Sequence, residues 1–174
     1  MEFDYDKLYF ATHYICDQAN NLDIVLDDVQ LNKVLWYSDT LSYMSRGQPI
    51  TGTTYKKKPR GPVAANHLKV IKRLIVDERV KRGFAETHYG YRGVIDSIST
   101  PEIDSFGRSE IELLDRVLKY VCTEVSTQEI SEQSHGDIWK LAEDGEHLPL
   151  YTVFAEVTTP PSKQEIADAK KGWD

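Results

Sequence analysis

Two cysteines in 174 residues, Cys16 and Cys122, are too few for a disulfide framework. Each falls on an apolar helical stripe, so both read as reduced core residues and the expected compartment is the cytoplasm. No apolar run approaches the roughly 20 residues that cross a bilayer. The opening "MEFDYDKLYF" is acidic and aromatic, unlike the start of a secretory signal. Among His13, His67, His88, His135 and His147 there is no HxxxH or HExxH pair, and no CxxC is present, so nothing local gathers metal donors. The glycine-bearing "GQPITG" and "YGYRG" lack both the Walker spacing and the GxGxxG pattern of phosphate loops. There is no internal repeat and no low-complexity segment. Neither metal nor cofactor is expected, and no catalytic residue is assigned.

What is present is an ordinary globular composition, 40% hydrophobic and 28% charged, with ten tyrosines and three tryptophans. Such a chain buries a core without staples. One domain over residues 1–157 is expected, followed by a tail, 158–174, holding a short helix. The formal net charge is -7. It hides an asymmetry: the stretch from Tyr55 to Arg82 has ten Lys or Arg against Asp77 and Glu78, a surplus of +8, which leaves -15 elsewhere. Non-specific nucleic-acid binding by the whole surface is thereby disfavoured, and one local positive face is not.

Helical spacing of Leu8, Ala11, Ile15 and Ala19 predicts a first helix from about Asp4 to Asn20. A second begins near Asp27 or Asp28, has Leu31, Val34, Leu35, Ser38 and Leu41 on one face, and stops at Gly47. Extended segments follow around "PITGTTY". Pro62 is expected in the first turn of a third helix, which needs no amide donor there, with Ala64, His67, Leu68, Ile71, Leu74 and Ile75 lining one side. "RGFAETHYGYRGVIDSIS" predicts two short strands and a tight turn. Ser109 with Glu112 suggests a capping box opening a helix striped by Leu114, Val117, Leu118, Val121, Cys122 and Val125. Ser126 with Glu129, and Ser162 with Glu165, suggest two more boxes. The sum is an α+β domain, predominantly helical, with a small antiparallel sheet or hairpin.

In "SEQSHGDIW", Ser134, His135 and Asp137 look like a triad on paper, but triads are assembled from separated segments. The helix is expected to end at His135-Gly136, with Gly136 supplying the left-handed cap, Asp137 capping the next turn and Trp139 facing inward. The main anomaly is the basic turn "YKKKPRGP". A solvated loop explains it. The functional reading is a partner-binding surface of Lys56, Lys57, Lys58 and Arg60 with the aromatics Tyr55, Tyr89 and Tyr91 nearby. Two alternatives are a nucleic-acid-binding regulator using the basic 56–82 segment and a metal-dependent hydrolase using His135 and scattered carboxylates.

Three stretches in order resemble the Panacea, or SocA-like, antitoxin domain family. They are "LNKVLWYSDTLSYMSRGQPITG", "RGPVAANHLKVI" and "LLDRVLKYVCTEVSTQEISEQSHGDIWKLA". The matching positions are Leu31, Lys33, Leu35, Trp36 and Tyr37, then Gly47, Pro49 and Ile50, then Gly61, Pro62 and Val63, and finally Ser134, His135 and Trp139. Arg60 stands where the family has an aromatic, and neither the triple lysine nor "RGFAETHYGYRG" matches the pattern. The resemblance implies a helical domain whose motif residues Trp36, Gly61, Pro62, Val63, Ser134, His135 and Trp139 are structural. It also implies a bacterial or phage antitoxin without transferable catalytic chemistry. Its partner would be a cognate protein toxin, which one family member delivers to a protease.

Overall fold

The computed structural model describes residues 5–87 and 90–154. Helix α1 (Tyr5–Asn21) buries Leu8, Ala11, Ile15 and Ala19 completely, the stripe read from the sequence. It also buries Thr12, His13, Tyr14 and Cys16, because three later helices and the second hairpin all pack around it. Its expected cap, Asp4, lies outside the described residues.

Helix α2 (Asp28–Arg46) starts at a capping box: the Gln30 amide donates to Asp27 Oδ1 at 2.8 Å, and the Asp27 amide donates to Gln30 Oε1 at 3.3 Å. Gly47, at φ 71°, closes it. Leu31, Val34, Leu35 and Ser38 are buried as expected, but Leu41 is 42% exposed. The burial there shifts to Asp39 and Ser42, because the chain after Gly47 returns across that side and binds it: Ser42 donates to the Gln48 carbonyl, and the Thr51 amide donates to Asp39.

Strands β1 (Tyr55–Lys58) and β2 (Gly61–Ala64) form an antiparallel hairpin with Lys57 opposite Pro62. Pro62 is therefore on a strand, not in a helix, and helix α3 (His67–Val76) starts five residues later. The strand tolerates proline for a geometric reason. The Lys57 amide and carbonyl both bond outward, to the Glu146 carbonyl and the Gly145 amide. Lys57 and Pro62 thus form a non-hydrogen-bonded pair, and no ladder donor is missing on an edge strand. In α3 the buried residues are Val70, Ile71 and Leu74, while Leu68 and Ile75 are 57% and 38% exposed, so its inner face is narrower than the pattern suggests.

A second, separate hairpin joins β3 (Val80–Thr87) and β4 (Gly90–Ser97), as the sequence predicts. Helix α4 (Arg108–Lys119) is capped at Gly107, two residues before Ser109. The Gly107 amide donates to Glu110 Oε2 at 2.9 Å. Glu110 also receives Lys7 Nζ of α1 at 2.9 Å, and this tertiary ion pair favours the earlier register. A π-helical turn (Tyr120–Glu124) ends it. Helix α5 (Thr127–Ser134) has the expected Ser126–Glu129 capping box. It ends at His135, whose amide donates to the Glu132 carbonyl, and Gly136 does not take the left-handed conformation expected of it. Helix α6 (Asp137–Leu141) follows. Strand β5 (His147–Leu148) completes the sheet order β2-β1-β5, and a 3-10 turn (Leu150–Thr152) lies near α2. The domain is α+β and helix-dominated. The domain boundary at 157/158 and the Ser162–Glu165 helix lie outside the described residues.

Candidate functional site

The residues singled out in three distant stretches meet behind the β1–β2 turn. Lys33, in the second turn of α2, is 1% exposed. Its Nζ donates to the Arg60 carbonyl at 3.1 Å, to Ser134 Oγ at 2.9 Å and to the Ile130 carbonyl at 3.5 Å. One ammonium thus ties the turn to the end of α5. Burial pushes its pKa down to about 8, with Asp27 opposing part of that shift, so it is charged at neutral pH. A buried charge is tolerable when its donors are used, and here they are.

Gly61 makes this approach possible. Its φ is +118°, and a β-carbon there would stand 2.9 Å from Ser134 Oγ and 3.2 Å from Lys33 Nζ. The local sequence explains the torsion. Pro59 fixes φ near -65° at the first loop position, which bars the mirror-image turns usual in two-residue hairpins. Arg60 is not among the positive-φ residues, so the left-handed excursion falls on glycine.

Next to this clasp the His135 and Trp139 rings stack at 3.6 Å with 5° between planes, and Lys57 Nζ caps the Trp139 ring at 4.2 Å. Lys57 also donates to the Ala142 carbonyl at 2.9 Å. Burial first, then the ammoniums of Lys33, Lys57 and Lys140, lower the His135 pKa, so its ring is neutral at pH 7. His135 Nε2 and Trp139 Nε1 are buried without a hydrogen-bond partner among the described residues. The Ser134–Lys33 contact has the composition of a hydroxyl nucleophile and amine base. Its geometry is that of a clasp. The ammonium is charged and already donates to carbonyls, and Ser134 is 5% exposed beneath Gly61.

The structure divides the residues expected to bind a partner. Tyr55 is 0% exposed and leaves that set. It packs edge-on against Trp36, centroids 4.9 Å apart, and its hydroxyl donates to Asp39 at 2.8 Å. Asp39, fully buried, accepts from the Thr51 amide and hydroxyl as well. Burial raises the Asp39 pKa, opposed by these donors. The sequence reading missed Asp39; a lone carboxylate amid the buried face of α2 was its only signal. Lys57 is committed to Trp139. Lys58 pairs with Asp144 at 3.3 Å with both side chains exposed, an interaction of little energy. Arg60 is exposed with no carboxylate partner among the described residues, and Lys56 is half-buried on β1. Tyr91 is 78% exposed, but on the separate β3–β4 hairpin. Tyr89 lies outside the described residues.

The +8 segment is not one positive face. Arg82 forks onto Asp28 at 2.8 and 3.0 Å, Arg79 meets Glu102 at 3.1 Å, and Arg73 lies between Asp6 and Asp77. Among the described residues no three His, Cys, Asp or Glu side chains gather in metal-binding geometry, and no helix is long and apolar enough to cross a membrane.

No curated protein and no solved structure matches this chain. The family model described as antitoxin SocA-like, Panacea domain, matches residues 31–140. That span is more than half of the chain, and it holds Lys33, Gly61, Ser134, His135 and Trp139, the residues that close on one another behind the turn. The chain belongs to the SocA-like antitoxin, Panacea-domain family.

Proposed function

We propose that this protein is a cytoplasmic antitoxin that neutralises one cognate protein toxin by binding it directly, without turning over a substrate. Family membership supports an antitoxin role, and one observation supports the mode. Buried Lys33 holds the Arg60 carbonyl, so the exposed Arg60 side chain is presented on a fixed turn. A loop already ordered loses less entropy on binding than a mobile one. Arg60, Lys56 and Lys58 are the expected contacts. Lys57 serves the fold, and its replacement is expected to lower stability.

The test is co-expression with the product of the reading frame beside this protein's gene. Cells making that product are expected to grow only when the full chain is also made, and the two are expected to co-purify. Continued growth arrest in the presence of the native, folded chain would falsify the reading. The lifetime of the bound toxin distinguishes occlusion, which leaves it intact, from delivery to a protease, which shortens it.

A further inference from the structure

Beside the basic turn is a cleft of about 270 Å³ between the start of α2, the β1–β2 hairpin and the start of α3. Its volume lies just below the roughly 300 Å³ at which small-molecule pockets usually begin. It has room for one large side chain. Val29, Pro59, Pro62 and Val63 give it apolar walls. Lys58 and Arg60 line it on the turn side.

The one carboxylate in that lining is Asp28. His67 at 3.7 Å and the two-pronged Arg82 bond hold its carboxyl well below the usual carboxylate range, and the Arg82 guanidinium balances its charge. The cleft therefore presents unbalanced positive charge: Arg60 has no carboxylate partner among the described residues, and Lys58 has only an exposed ion pair to give up. An apolar pocket with a cationic rim selects an apolar anchor flanked by carboxylates. A nucleic-acid backbone fits less well. It would bring phosphates next to Asp28 and onto a molecule carrying -15 outside the basic segment, and it offers no apolar side chain to the walls.

We infer that this cleft is the toxin-recognition pocket, seating one apolar side chain of a toxin segment that carries Asp or Glu beside it. The inference rests on the antitoxin reading and specifies the surface that performs it. Val29→Trp fills the cleft and leaves its charges in place. Arg60→Glu reverses the rim charge on an exposed turn. Lys72→Glu, on exposed α3 surface outside the cleft lining, is the control.

Binding of the purified neighbouring-gene toxin to each full-length variant is measured by calorimetry, with a thermal melt for each. Val29→Trp and Arg60→Glu are expected to weaken binding about tenfold or more at an unchanged melting temperature, and Lys72→Glu to leave it unchanged. Native affinity in both cleft variants, while the native chain still protects cells, overturns the pocket and leaves the antitoxin reading standing. If the native chain neither binds the toxin nor protects cells, both fall. Should Val29→Trp lower the melting temperature, Arg60→Glu alone decides. A duplex DNA of about 20 base pairs that displaces toxin from the native chain, and no longer binds Arg60→Glu, assigns the cleft to nucleic acid and also overturns the inference.

Discussion

A β-carbon at Gly61 would meet Ser134 Oγ at 2.9 Å and Lys33 Nζ at 3.2 Å, in a backbone conformation that L side chains rarely adopt. Gly61→Ala is expected to cost about 1–3 kcal/mol in urea unfolding, from torsion and from displacement of the clasp. A loss below half a kcal/mol would show that the clasp yields freely. Lys33 gives a pH signature. Its folded pKa, about 8, lies below its ordinary value of 10.5. Between those values the unfolded chain holds a proton that the folded chain has lost, so this group makes stability rise with pH through that window. Below pH 8 both states are protonated and the contribution is flat. Lys33→Met removes the slope. The stability difference between native and variant is expected to grow in favour of the native chain by up to about 1.4 kcal/mol per pH unit above pH 8. A difference independent of pH would mean that Lys33 titrates as an exposed lysine. Tyr55→Phe removes a buried donor from Asp39 and is expected to cost about 1–3 kcal/mol by urea unfolding, with toxin protection unaltered at temperatures where the variant is folded.

At the scale of elements, α2 organises the site. Its second turn holds Lys33 under the basic turn, and Asn32 Oδ1 accepts the outward Ala64 amide at 3.0 Å, closing the edge of β2. Its position depends on its start, where Asp27 caps the Gln30 amide and also lies 3.4 Å from Arg92 of β4. Asp27→Ala is expected to lower unfolding free energy by about 0.5–2 kcal/mol. Glu129, in the exposed Ser126 box, has its pKa lowered by its bonds to Ser126, so that cap weakens when acid protonates the carboxyl. The two hairpins differ in kind. The β1–β2 hairpin is pinned by Lys33, Asn32 and β5. The β3–β4 hairpin carries Phe84 and Tyr91, 82% and 78% exposed, away from the clasp.

For the molecule as a whole, paired cations and a net charge of -7 argue against a continuous nucleic-acid footprint. At physiological salt the purified protein is expected to leave the mobility of a random duplex DNA unchanged in a gel-shift titration. Retardation that vanishes steeply with added salt would instead reveal a phosphate-binding face. What the sequence determined by itself was local or periodic. The stripe of α1, the start of α2 near Asp27 or Asp28, the Ser126 cap, the Gly47 stop and the β3–β4 hairpin all depend on neighbours a few residues away, as did the ordered motifs that carried the family resemblance. Tertiary structure decided the rest. Pro62 became a strand residue because Lys57 turns its backbone toward β5. The cap of α4 moved to Gly107 because Lys7 holds Glu110. Tyr55 left the surface because Asp39, sixteen residues earlier, accepts its hydroxyl. The clasp was hidden for the same reason: Lys33, Gly61 and Ser134 are far apart along the chain, and hydrogen bonds of about 3 Å between such residues exist only once helices and sheet have packed.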